Sequence, residues 1–368
     1  MPDLKIARRR IRNSRLSGRA FAAPDEAVAW HLAMQAQDYG PAMWSIGQRT
    51  KGLVDADVDR ALTVGSIVRT HVLRPTWHFV ARDDLRWLLA LSGPRVQQGN
   101  AGRYRQLGLD GRTLARAEKV IVSALEGGGR LARDELAALL DAQKVDRAGQ
   151  RMPYILMHCE LEAVIGSGGR TGKQQTYALL DERIPARGHR FDRDGALAEL
   201  VRRYLTSHGP ATVKDMSWWS GLTMTDIRSA LEMLGDEAGS EELDGLSFWS
   251  LTSERGRRPP AARGAHLLQT YDELVVGYTE SRFHGETAAE LARVAWSNPT
   301  FPSGIVLLHG RVIGHWRRTI EQKRILAVIH LYDDVTEADR RVLERAVTRL
   351  GRFSGLPAAV EVARFRTA

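Results

Sequence analysis

Two side-chain amides near the start of the chain have the type and spacing best suited to chemistry: Gln35 and Gln37, in Met34-Gln35-Ala36-Gln37-Asp38-Tyr39. The apolar spacing of Val28, Trp30, Leu32 and Met34 predicts a helix that opens at Pro24-Asp25 and stops near Gly40-Pro41. On a helix, residues two apart differ by about 200°. Gln35 then extends the Val28/Leu32 face and Gln37 the Trp30/Met34 face, so each amide is carried towards an interior. A buried glutamine needs partners for its oxygen and for both amide hydrogens. Two readings meet that need: the amides cap the helix end or bridge two modules, or a bend at the terminus brings both to one cavity.

A second feature is Gly168-Gly169-Arg170-Thr171-Gly172-Lys173-Gln174-Gln175. Its glycines permit a tight turn, and Arg170 and Lys173 put positive charge on a ribbon that can enter a DNA groove or lie along phosphates. The plainer alternative is a solvated basic loop. Arg311, Arg317 and Arg318, around a later hairpin, extend the same basic surface. Other chemistry is missing from the sequence. There is no Walker A string, no dinucleotide fingerprint and no H-E-x-x-H. His71 and His78 share a predicted hairpin but lack a third ligand at metal spacing. Cys159, beside Leu156 and Leu161, reads as a buried, inert thiol. Neither a metal nor a cofactor is expected.

The whole chain agrees with a nucleic-acid partner. Lys and Arg total 53 against 44 Asp and Glu, a net charge of +9. Seven of the 53 are lysines, which leaves 46 arginines. Arginine offers phosphate a planar fork and stays protonated. A basic protein with no membrane element points first to nucleic acid. No apolar run approaches eighteen residues, so no membrane span is expected. The basic start, Lys5 to Arg19, is followed by no apolar signal region, and a single cysteine excludes a disulfide framework. A cytoplasmic setting fits.

With 368 residues the chain exceeds one ordinary core. Residues 1–22 read as a basic arm. After the 24–40 helix come a helix around Asp57–Val64 and strands Ile67–Val72 and Thr76–Val80, the order of a winged helix. Residues 83–143 are helical by period, broken at Gly127-Gly128-Gly129, and residues 150–162 form another helix before the basic hairpin. Leu197–Leu205, a restart at Gly209-Pro210, Trp218–Leu222, a candidate recognition helix Thr223–Leu234 and a hairpin turning at Asp244-Gly245 repeat the pattern. Ser253–Gly264 has linker composition. Beyond it, Leu274–Tyr278, Ile305–Leu308, Val312–Trp316, Arg324–Ile329 and Val360–Val362 read as strands and Glu337–Leu350 as a helix, with closure into a small barrel. The fold class is α+β: three tandem winged-helix modules (1–81, 82–182, 183–252) followed by a small C-terminal β-barrel-like domain (265–368).

In this order the motifs resemble one family, the AlkZ-like winged-helix DNA glycosylases. The resemblance spans nearly the whole chain. It rests on Gln35-Ala36-Gln37-Asp38-Tyr39, Gly65–Thr70, Arg74-Pro75-Thr76-Trp77-His78-Phe79-Val80, Gly172–Thr176, Gly209–Thr212, Tyr271-Asp272-Glu273 and Gly310–Arg318. It implies a concave, DNA-binding body that removes alkylated purines, including bulky adducts and interstrand crosslinks. In that family a Gln-apolar-Gln motif holds the catalytic water, a role that would fall to Gln35 and Gln37. A related branch has Asp at the second position; this chain does not, which sets it nearer the azinomycin-type self-resistance enzymes. Asp38, Tyr39, Arg74, Thr76 and His78 are then expected as active-site neighbours. Arg170, Lys173, Gln174, Arg311 and Arg317 are expected as DNA contacts. The implied partner is double-stranded DNA bearing alkylated purines, bound by a monomer. The rival is a non-catalytic winged-helix transcriptional regulator.

Overall fold

The structure, a computed structural model, describes residues 4–172, 174–185, 191–254, 262–286, 304–321 and 323–365. The expected N-terminal arm is a helix, Lys5–Asn13, with Ile6 and Ile11 buried. Its arginines hold the fold together. Arg10 donates to the carbonyls of Pro210 and Ser281, both at 2.8 Å, and Arg9 and Arg12 pair with Glu241 and Glu254.

The helix expected over 24–40 is two helices with a strand between them. Pro24–His31 ends at Leu32, whose φ of 67° breaks the helical path. Ala33–Gln35 is a strand, and a new helix, Tyr39–Gly47, starts where a stop was expected. Pro41 falls in its first turn, where a missing N–H breaks no helical bond. Asp55–Val64 follows, then the hairpin Ile67–Val72 and Arg74–Ala81. Ala33–Gln35 pairs antiparallel with His78–Val80, so Arg74–Ala81 is the middle strand of three.

The order helix, short strand, helix, helix, hairpin recurs. Gly111–Leu125, Leu131–Ala132, Arg133–Ala142 and Arg151–Leu161 lead into Ile165–Thr171 and Gln174–Leu179, again with the last strand in the middle. Arg193–His208, a bridge from Ala211 to Trp249, Val213–Ser220 and Met224–Leu234 precede Ala238–Leu243 and Leu246–Leu251. A 25-residue helix, Arg82–Gln106, joins the first unit to the second.

The C-terminal barrel is not formed. Five strands make an open sheet in the order Ala358–Arg364, Arg324–Leu331, Arg311–Glu321, Gly304–Leu308, Ala265–Leu268. The first and last of these do not pair, so nothing closes the sheet on itself. The helix Glu337–Ser354 packs on it instead. Leu274–Tyr278 is also not a strand. Glu273–Val276 forms one helical turn, capped by the Asp272 carboxylate on the Leu274 N–H at 3.0 Å. A short apolar run does not separate strand from buried helix by period alone. Most of the expected 253–264 linker lies outside the described residues. Among the described residues, no helix is long and apolar enough to cross a membrane.

The two faces of the first sheet have different neighbours. Alternation sends Ala33, Val68 and Val80 to one face, where they share a core with Leu197, Tyr204, Trp219 and Val275. Met34, Ile67 and Phe79 face the other way and share a core with Trp44, Trp316, Leu343 and Phe353. Gln35, paired with His78, belongs to the first face, whereas Arg69 and Trp77 belong to the second.

Candidate active site

The strand that replaces the expected helix changes how Gln35 and Gln37 relate. Gln35 ends the paired strand, and the ladder continues one step further, the Ala36 N–H donating to Trp77 O at 2.7 Å. A strand end running into a bend now connects the amides, not a helical turn of about 200°. Gln35 is buried, 7% exposed, while Gln37 and Asp38 are exposed at the bend beyond it.

Gln35 is held from both ends. Its backbone N–H donates to Glu273 Oε1 at 2.6 Å, and its side-chain oxygen accepts from Arg74 Nη2 at 3.0 Å. Arg74 carries only donors, so the amide oxygen must face it and the NH₂ must point away. The other Glu273 oxygen accepts from Trp219 Nε1 at 2.8 Å and lies 3.1 Å from His208 Nε2. Burial alone would raise the Glu273 pKa. The hydrogen bond and charge of His208 and the Gln35 N–H outweigh it and bring the carboxyl down to about 2. A carboxylate so fully engaged positions its neighbours and is not free to act as a base.

Of the expected neighbours, Arg74, Thr76 and His78 do gather beside Gln35. His78 is Gln35's cross-strand partner, and Thr76 lies two residues before it in the same strand. Arg74 Nε, Thr76 Oγ1 and His78 Nε2 are enclosed without a hydrogen-bonding partner among the described residues. Burial, then the Arg74 charge, pushes the His78 pKa down to about 3, so the ring is neutral at physiological pH. The rim is aromatic. Trp218 is 47% exposed, with the Arg74 guanidinium 5.6 Å from its ring centre.

Tyr39 turns elsewhere. Its hydroxyl donates to Asp59, which also holds Arg170 Nη1 at 3.0 Å, and burial raises its pKa. The Arg170 guanidinium sits 5.7 Å from the Tyr39 ring, which brings the tip end of the basic hairpin beside the Gln37 bend. Asp38 occupies the N-cap position of the next helix without a side-chain cap. Gln174 is exposed, and Lys173 lies outside the described residues. The third hairpin is divided: Arg317 is exposed, and Arg311 pairs with Glu286 at 3.6 Å. Arg318 approaches the start of the Tyr39–Gly47 helix at Gly40.

Sequence reasoning gave no role to Glu273, His208, Trp219 or Arg69. Glu273 was visible only as part of a string, because the apolar run after it reads as a strand. His208 and Trp219 reach the site from a unit about 175 residues further along the chain, a separation that local pattern does not encode. Arg69 donates to Ala36 O at 2.9 Å and to Gln37 O at 3.2 Å, pinning the bend. Cys159 is buried and far up-shifted by burial, and His71 meets Glu160.

Comparison with known proteins agrees with this architecture. A profile of the AlkZ-like DNA glycosylases matches residues 28–353. An interstrand DNA cross-link repair glycosylase from Streptomyces sahachiroi is 23% identical over 362 residues, covering 94% of this chain and 95% of that protein. The solved structure of the Streptomyces sahachiroi DNA glycosylase AlkZ superposes with a TM-score of 0.77 at 21% identity, over 98% of this chain and 100% of the other. At that identity the superposition establishes a shared fold. These matches favour a glycosylase over a transcriptional regulator.

Proposed function

Because the chain belongs to the AlkZ-like DNA glycosylase family, we propose that it hydrolyses the N-glycosidic bond of N7- or N3-alkylated purines in duplex DNA and unhooks interstrand crosslinks. It acts as a monofunctional enzyme and as a monomer. The reading includes the module division: winged helices at 1–81, 82–182 and 183–252 and a C-terminal domain at 265–368. The recurring helix–strand–helix–helix–hairpin order supports it.

The chemistry asks little of an acid. An alkylated purine is cationic, and its glycosidic bond breaks with the electron pair passing to a base that leaves neutral. Positive charge develops at C1′ in an oxocarbenium-like transition state. What remains is to hold a water against C1′. Gln37, exposed at the bend, accepts a hydrogen bond from that water and aims a lone pair at the sugar. Gln35, its oxygen fixed by Arg74, orients the same water or the adjoining phosphate through its NH₂. The water oxygen bonds to C1′ and its proton passes to solvent. Amides are poor bases, so uncharged, stable purines are spared.

The observation that carries this reading is the Gln35 cluster. A clamped amide sits beside three enclosed polar atoms with no partner among the described residues, two residues from an exposed glutamine. Such atoms are polar groups awaiting a ligand or solvent. The test is incubation with an N7-methylguanine duplex, followed by alkaline cleavage to score abasic sites. Gln35→Ala and Gln37→Ala should each slow base release by about 10²–10³, by analogy with oxyanion-hole donors, while DNA binding persists. Release at the parent rate by both variants overturns the mechanism.

A further inference from the structure

On the second face of the first sheet, where it meets the second repeat, lies a cavity of about 310 Å³. Arg69 and Trp77 come from the first hairpin, Gln174, Gln175 and Tyr177 from the basic hairpin, and Leu156 from the helix between them. The volume is at the small end of the roughly 300–1,000 Å³ of pockets that hold small molecules. It suits one nucleoside and not a dinucleotide.

The lining has the chemistry of nucleobase recognition. The Arg69 guanidinium lies 4.3 Å from the Trp77 ring centre, and its own donors are held by the Ala36 and Gln37 carbonyls, which fix its plane. Bases stack on aromatic rings and on such guanidinium planes. Gln174, exposed at the mouth, offers an amide that matches the donor and acceptor edge of a base, while the Gln175 amide is engaged by the Tyr39 hydroxyl. Tyr177 brings a phenol hydroxyl to the lining, and Leu156 supplies an apolar wall. Arg133, at the rim, is exposed and available to a phosphate.

The geometry points to this cavity as the seat of one nucleobase unstacked from the bound duplex, distinct from the base being released. The distinction follows from strand alternation. Arg69 and Trp77 project from the face opposite Gln35 and His78, so the sheet lies between the cavity and the Gln35 cluster. The occupant is therefore the lesion's partner or a flanking base. Because Arg69 also holds the Gln37 carbonyl, a base stacked on it bears on the position of the bend. The inference rests on the glycosylase reading for its substrate, and the test separates the two.

The experiment places 2-aminopurine in turn at the partner of an N7-methylguanine and at two neighbours on each side, and titrates each duplex with the full chain. Emission should change at one position. Gln174→Trp, which blocks the mouth, should abolish that change and weaken lesion-duplex binding about 5- to 100-fold, the worth of one stacked base. Tyr177→Phe, which removes only a hydroxyl, should weaken it by a smaller factor with the fold intact, and it carries the test if Gln174→Trp does not fold. No change at any position, or a change that survives both substitutions, overturns the proposal. So does a thermal shift with deoxyguanosine monophosphate alone, without any emission change, since that assigns the cavity to a free nucleotide. A parent protein that shows the change but releases no base leaves the cavity standing and refutes the glycosylase reading.

Discussion

Replacing Glu273 by Gln alters one atom and removes one charge at the point where the candidate site is anchored. Glu273 is 1% exposed and accepts from the Gln35 backbone, Trp219 and His208. A glutamine there has one acceptor oxygen. If that oxygen serves Trp219 and His208, its NH₂ confronts the Gln35 N–H, donor against donor. Turned round, it confronts the other two. At least one charge-assisted bond is lost, worth about 1.5–3 kcal/mol, and a buried donor is left unsatisfied at about 1–3 kcal/mol more. The expected destabilisation is about 3–5 kcal/mol. Because the orientation with one clash in place of two puts that clash on Gln35, base release should fall further than folding does, by about 10- to 100-fold for a displacement below an ångström. Single-turnover release from an N7-methylguanine duplex at saturating protein measures the rate, urea denaturation the stability, and fluorescence anisotropy the DNA binding. Binding should hardly move. Parent-like release together with parent-like stability would refute the anchoring role.

Three further outcomes are expected. Asp272→Ala should cost about 3–5 kcal/mol in urea denaturation, since it strands the fully buried Arg49, which now donates to both carboxylate oxygens at 2.8 Å; a loss under about 1 kcal/mol counts against it. His31, His78 and His266 are each held by burial to a pKa of about 3, so below their ordinary value of 6.5 the unfolded chain binds protons that the folded chain refuses. Stability should therefore fall as pH drops from 6.5 towards 3, by about 1.4 kcal/mol per histidine per pH unit; a flat urea midpoint between pH 7 and 5 contradicts those environments. Trp218→Ala, at the half-exposed rim beside Arg74, should weaken lesion-duplex binding about 5- to 100-fold by loss of one stacking surface, and unchanged anisotropy titrations would remove Trp218 from the interface.

The sequence made the hairpins and repeats legible because each is local: period-two strands around glycine turns, and helices restarted at fixed intervals. It failed at Met34–Pro41 for an equally physical reason. Ala33–Gln35 is too short to show a strand period and exists only because His78–Val80 offers it a ladder some 45 residues away. Pro41 then serves either to end a helix or to begin one, and only the preceding strand decides. Members of the candidate site that stand out by their own type, among them Gln35, Arg74 and Arg170, are legible in the sequence. Those that act by arriving from elsewhere, Glu273, His208 and Trp219, are not. The basic N-terminal helix misled in the opposite sense: charges that look free in sequence are used up in pairs with Glu241 and Glu254.

The same placement accounts for an amide, and not a carboxylate, at position 35. Glu273 already sits beneath that strand as an anion. A second carboxylate bonded to the same segment would meet like charge in a buried setting and tend to take up a proton. An amide avoids this and still accepts from Arg74. It also leaves Arg74 and Glu273 as opposite charges, Glu273 opposing the loss of charge that burial imposes on Arg74. In the proposed reaction positive charge builds at C1′, and an unopposed guanidinium nearby would resist it. With Glu273 bonded to the same segment, Arg74 can fix the amide while an opposite charge offsets part of its field. Glu273→Gln therefore removes an anchor and uncovers a cation in one step, which is why its effect on release should exceed its effect on binding.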